Sequence, residues 1–120
     1  MRPHEKLDVW KMAIDMVVRV YECTSDFPKD ERFGLTSQIR RAAVSIPANI
    51  AEGAGRNHDR EFLQFLGIAQ GSASEVETEL LIAHRLGYID EEKFRLVYEE
   101  VNSIARMIVG LSKHLRSRAG

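Results

Sequence analysis

The chain has 120 residues, 44% of them apolar and 29% charged, with seventeen Lys and Arg against eighteen Asp and Glu for a net charge of −1. That balance belongs to a folded domain rather than a disordered tail, and the length suffices for one core but not two, so residues 1–120 read as a single domain. One cysteine, Cys23, excludes an internal disulfide, three prolines and eight glycines are too few for a loop-rich β fold, and no apolar run reaches the roughly 20 residues of a membrane span.

The start Met-Arg-Pro-His-Glu-Lys lacks the apolar core of a signal peptide, which with the unpaired cysteine predicts a cytoplasmic protein with no membrane partner. Asp8 is placed to cap a first helix whose Trp10, Ala13, Ile14, Val17, Val20 and Tyr21 recur at three- and four-residue steps. Thr24-Ser25-Asp26 and Pro28 end it, because proline disfavours helical geometry at the residue before it.

A second helix follows Thr36 as N-cap, with Leu35, Ile39, Ala42, Ala43, Ile46, Ile50 and Ala54 on one face and Gly53 and Gly55 as its stop. Pro47 lies inside it, at a cost of about 3 kcal/mol, and takes away the donor that the Ala43 carbonyl would use. That predicts a kink or a helix built in two pieces.

The third helix runs from Asp59 to Leu86. Phe62, Phe65, Leu66, Ala69, Ala73, Val76, Leu80 and Ala83 form its stripe, while Leu63, Ile68, Leu81 and Ile82 fall outside it. A helix that is apolar on more than one side has to be covered on more than one side, so those four residues predict an interface between copies of the chain. Gly87 ends the helix, and Asp90 caps a fourth, with Glu91 and Glu92 at the positive end of its dipole and Ile89 set to staple onto Phe94. From Phe94 through Val97, Tyr98, Val101, Ile104, Ala105, Ile108, Leu111 and Leu115 the spacing is that of a bundle seam. No segment alternates with period two. The fold expected is all-α, an antiparallel up-down-up-down four-helix bundle assembled into a homo-oligomeric ring.

Little in the chain suggests catalysis. None of His4, His58, His84 and His114 lies three residues after a Glu, as a bundle metal site would require, so no metal and no cofactor are expected. Cys23 has no histidine near it in sequence, and Gly53-Ala54-Gly55 closes a helix instead of opening one after a strand. The reading is therefore of a protein that is not an enzyme. Its charge is nonetheless segregated: a local +3 from Arg32 to Arg60, −5 from Glu75 to Glu100, and +4 beyond Glu100. Arg40, Arg56, Arg60, Lys113, Arg116 and Arg118 are the candidate contacts to RNA or DNA. The alternative is a scaffold that docks a protein partner on its acidic third and fourth helices.

The second helix also carries a polar stripe, Gln38, Arg41, Ser45, Asn49, Glu52 and Arg56, opposite which the third helix places Gly71, Ser72, Ser74, Glu75 and Glu79. A carboxylate buried there needs a donor, and Arg41 and Asn49 are the obvious ones. The stripe reads either as a network of Arg, Asn and Glu, between helices or between subunits, that fixes register, or as a ligand or nucleic-acid site.

Leu35 through Gly53, in full Leu-Thr-Ser-Gln-Ile-Arg-Arg-Ala-Ala-Val-Ser-Ile-Pro-Ala-Asn-Ile-Ala-Glu-Gly, resembles the hallmark of the 23S rRNA intervening-sequence proteins. Glu61 to Ser72 with Ser74-Glu75, Asp8 to Ala13 and Phe27 to Arg32 are similar to that family's other motifs, so the likeness covers nearly the whole chain. The resemblance implies small bacterial four-helix bundles that assemble into rings of five, with no established catalytic activity or cofactor. It extends to accessory proteins of diversity-generating retroelements, whose basic ring engages nucleic acid and a reverse transcriptase. By the same likeness Gln38, Arg41, Ser45, Asn49, Glu52, Ser72 and Glu75 are signature polar positions. His58 stands where the family usually has a capping Ser, which moves the expected cap to Asn57, and the chain is less basic than the retroelement proteins.

Overall fold

A computed structural model describes the backbone of residues 1–119 and the side chains of residues 1–118. Four helices carry the chain, α1 (Asp8–Thr24), α2 (Leu35–Ala54), α3 (Asp59–Arg85) and α4 (Glu91–Ala119), and no strand occurs among the described residues. Short 3-10 turns at Pro3–Lys6 and Lys29–Glu31 precede α1 and α2.

The first two helices begin differently from the sequence expectation. Leu7, extended and packed against the core, is the N-cap residue of α1, so Asp8 sits inside the first turn and acts on the helix dipole without a capping bond. On α2 the cap position is Gly34. Thr36 is buried within the first turn, and the free Leu35 N–H donates instead to Glu31 Oε1 at 3.1 Å. A carboxylate delivered by the preceding turn thus does what a capping threonine would do.

α1 is also turned relative to its expected stripe. Val9, Ala13, Met16, Val20 and Thr24 are buried, whereas Ile14 and Tyr21 stay 39% and 43% exposed. Met16, long and deformable, fills the core completely, and Tyr21 keeps its ring outside beneath the Arg40 guanidinium, 4.5 Å from the ring centroid. Helix α2 runs through Pro47 as one element, with Pro47 itself buried, so the helix is not made in two pieces.

α2 packs along α3, α3 along α4, and α1 lies against both α2 and α4. Gly53 explains how closely α2 meets α3: a Cβ there would stand 2.8 Å from both Phe62 Cδ1 and Phe65 Cβ. Ile39, Ile46, Ile50, Leu66, Leu80, Val101 and Ile104 are fully buried between the four helices. The body measures 47 × 21 × 21 Å.

Helix ends in the second half follow their local signals more closely. Gly87 takes φ +79°, and the turn it makes lets the Tyr88 N–H donate to the Ala83 carbonyl (2.9 Å) and the Gly87 N–H to that of His84 (3.1 Å). Asp90 Oδ1 then accepts the Lys93 N–H at 2.8 Å, as expected of the α4 cap. On α3 neither His58, at the N-cap, nor Asn57 supplies a side-chain cap; Asp59 and Glu61 in the first turn face the dipole instead. Because Asp90 serves an exposed N-terminus alone, Asp90→Ala is expected to lower unfolding free energy by about 1 kcal/mol, read as a lower urea midpoint at unchanged slope.

Candidate functional site

The polar stripe of α2 meets α3 through two serines. Ser72 Oγ lies 2.9 Å from Ser45 Oγ, and Asn49 Nδ2 donates to Ser45 Oγ (2.9 Å) and to the Ser45 carbonyl (2.8 Å). Asn49 thus turns back onto its own helix and does not reach a carboxylate. Glu52 pairs at 2.7 Å with Arg56, which lies in the bend just beyond the end of α2 and also over the Phe65 ring. Within one copy the stripe of α2 therefore meets α3 through a hydroxyl link, and no inter-helix Arg–Asn–Glu network forms among the described residues.

Beside that link opens a groove of about 560 Å³, lined chiefly by Phe33, Gln38, Arg41, Ser45, Glu75 and Glu79. Arg41 is exposed and makes no ion pair among the described residues, and neither does Glu75 or Glu79. Glu79 Oε1 is buried with no hydrogen-bond partner. Burial, and then the Glu75 carboxylate one turn away, hold the Glu79 carboxyl above the usual carboxylate range. Phe33 projects from the rim, 90% exposed.

The six candidate cations divide into two groups. Arg40 is half-buried and donates to Thr24 Oγ1 (2.8 Å) and the Tyr21 carbonyl (3.3 Å), closing the C-terminal end of α1. Arg56 is held by Glu52, and Arg118 makes a two-pronged bond to Asp59 at 2.8 and 2.7 Å. That bond holds the Asp59 carboxyl below its usual range. These three serve the fold. Arg60, Lys113 and Arg116 are exposed and have no ion pair among the described residues.

Arg106, which the sequence reading left out of its site, joins them: its guanidinium donates to Asn102 and Ser103 on its own helix and meets no acid. It lines a groove with Val109 and Lys113, and Arg116 lines the adjoining one with Leu63 and Val109. Residues 106, 109, 113 and 116 step by 3, 4 and 3, which puts them on one face of α4. That spacing within an acid-free run was the signal available for Arg106.

Of the four expected interface residues, Ile68 (52%), Leu81 and Ile82 (44%) are exposed. Leu63 is not: it is half-buried, packs against the core and lines a groove with Leu66 and Ile108. Cys23 is half-buried, packs against the core, and burial raises its thiol pKa. Among the described residues no three His, Cys, Asp or Glu side chains gather as metal ligands would, and no helix is long and apolar enough to cross a membrane.

Four helices with no strand among the described residues, joined between α2 and α3 by a hydroxyl link, define a small all-α helical protein. Its sequence matches the description "23S rRNA-intervening sequence protein" over residues 5–110, and the chain belongs to that family. Five solved chains are similar in structure. One is the crystal structure of a protein with unknown function from the S23 ribosomal protein family of Bacteroides thetaiotaomicron VPI-5482. It shares 26% sequence identity at a TM-score of 0.79, covering 88% of this chain and 98% of the other. Among curated proteins, none matches this chain in sequence.

Proposed function

We propose that the chain is a non-enzymatic, cytoplasmic bundle that works as a homo-oligomeric ring, of five copies by its resemblance, and binds RNA or another nucleic acid through phosphate contacts. The observation that carries this reading is the set Arg60, Arg106, Lys113 and Arg116, exposed cations with no ion pair among the described residues, of which the last three share one face of α4 while Arg60 lies in the first turn of α3. In this reading the helices run alternately up and down. Asp59 at the start of α3 meets Arg118 near the end of α4, and His84 near the end of α3 meets Glu91 at the start of α4, which supports that order.

Four cations per copy make a weak site, and repetition around a ring would raise its avidity without any new kind of contact. Exposed Ile68, Leu81 and Ile82 favour such association. Among the described residues no Phe, Tyr or Trp lines the grooves beside Arg106, Lys113 and Arg116, which favours phosphate over base recognition.

The test is a fluorescence titration of a mixed-sequence single-stranded RNA at several salt concentrations. Affinity is expected to fall with salt, the logarithmic slope being about −0.7 per phosphate neutralised, hence about −2 to −3 for the edge of one copy. No binding at low salt overturns the nucleic-acid reading, and a scattering mass of 13.7 kDa, that of one chain, overturns the oligomeric one. Partners that survive nuclease treatment would instead favour the protein scaffold, for which the acidic surface around the 59% exposed Leu96, with Glu91, Glu92 and Glu99, is the docking candidate.

A further inference from the structure

We propose that the groove between α2 and α3 is closed by the α1–α2 edge of a neighbouring copy, which brings a cation to the unpaired Glu79 carboxylate. The inference rests on the oligomeric reading above and adds to it which two surfaces meet.

One side of the contact is a narrow stripe of α3. Ile68, Glu75, Glu79 and Ile82 are spaced by seven, four and three residues, so they share one face, with two carboxylates between two exposed apolar side chains. Gly71 on the same face has nothing within 4 Å of where a Cβ would be, which leaves room for another helix to come close. The site is incomplete in one copy. Glu79 Oε1 is buried without a partner, Glu75 adds like charge, and Arg41 across the groove pairs with neither. A carboxylate left in that state is stabilised by any cation delivered to it.

The other side has the complementary character. Ile14, Val18 and Tyr21 of α1 are spaced by four and three residues and stay exposed, as does Val44 of α2. The cations lining the groove at this edge are Arg32, Arg40 and Arg41, while on α1 itself Lys11 is accompanied by Asp15 and Glu22, which flank Val18 at three and four residues. Arg40 is tied to the end of α1 but keeps its charge, while Arg41 stands on the ridge between the two grooves and lines both. An apolar stripe with cations thus faces an apolar stripe with carboxylates. Phe33 also lines both grooves and would be covered by the same contact. A face of 47 × 21 Å can supply the roughly 800 Å² per partner that a stable interface needs.

The two surfaces are different parts of the chain, so the contact is head-to-tail, and such contacts repeat until they close into a ring or run on as a filament. Cross-linking tests this directly. In a Cys23→Ala background, Val18→Cys is combined with Ile68→Cys or with Ile82→Cys and treated with a short bismaleimide. One combination is expected to give covalent multiples of the chain, and each single variant is expected to give none. A single variant that links to its own kind shows a two-fold contact and overturns the proposal.

Glu79→Lys is expected to reduce the scattering mass towards that of one chain at a protein concentration where wild type stays assembled, with helical circular dichroism retained. If wild type itself has the mass of one chain, the oligomeric reading fails and this inference with it. If wild type is assembled but neither cross-linked pair forms, the oligomer stands and only this pairing of surfaces is wrong.

Discussion

Gly53→Val is expected to destabilise the protein by about 3 kcal/mol or more, the largest loss of any single substitution considered for this chain. Even a methyl group at this position would lie 2.8 Å from Phe65 Cβ, an atom fixed to the α3 backbone, 2.8 Å from Phe62 Cδ1, and 3.3 Å from the Phe62 carbonyl oxygen. Rotating the Phe62 ring relieves only one of those contacts. The rest requires α2 and α3 to move apart, which would loosen the Ser45–Ser72 link and the fully buried Ile50 and Leu66 near the crossing. Valine adds two more methyl groups to the same space. Gly55 is the control: a Cβ there meets the Ala51 and Glu52 carbonyl oxygens at ordinary distances of 3.6 and 3.7 Å, so Gly55→Ala is expected to stay within about 0.5 kcal/mol of wild type. Urea unfolding followed by circular dichroism measures both. A Gly53→Val protein with the wild-type midpoint would mean that the two helices do not cross this closely.

What the sequence makes legible here is whatever depends on neighbours along the chain. Asp90 and the acids behind it announce the start of α4, Gly87 announces the turn before it, and the spacing from Phe94 to Leu115 marks a seam that does lie against the core. All of these signals act within one or two helical turns. The rotation of α1 was not legible, because apolar residues occur on more than one side of it and only the shape of the opposing helices selects Met16 over Ile14 for the interior. The caps of α1 and α2 were misplaced for a related reason: Leu7 is held by the core, and the Leu35 N–H is served by a glutamate from the preceding turn.

The candidate site shows the same division. Counting charges cannot tell a cation that holds the fold from one left free, since Arg118 finds Asp59 from 59 positions away and Arg40 finds the carbonyl of Tyr21 from 19 away. Nor could the polar stripe reveal that Asn49 would turn back to Ser45 and leave Glu79 unserved. Gln38, Arg41, Ser45, Ser72, Glu75 and Glu79 line one groove. Their partners depended on distances between helices that no local pattern contains.

Neutralising three of the four free cations together should weaken nucleic-acid binding in a way that neutralising an engaged one does not. The triple variant Arg60→Gln, Lys113→Gln, Arg116→Gln is expected to bind single-stranded RNA on the order of a hundredfold more weakly at low salt, with a logarithmic salt slope shallower by about 2 per copy. Each of these side chains is exposed and has no acid to hold it, so its charge is available to displace a counterion from a phosphate. Arg40→Gln removes a charge of the same sign, but from a guanidinium already bonded to Thr24 and Tyr21 and stacked on the Tyr21 ring. It is expected to leave the salt slope nearly unchanged while lowering the urea midpoint, since the Tyr21 carbonyl and the buried Thr24 hydroxyl lose a charged donor. Salt titration and urea unfolding on the same two proteins separate the roles. If the triple variant keeps the wild-type affinity and slope, the cationic edge is not where RNA binds; if Arg40→Gln flattens the slope as much as the triple variant does, division of the arginines into free and engaged is wrong.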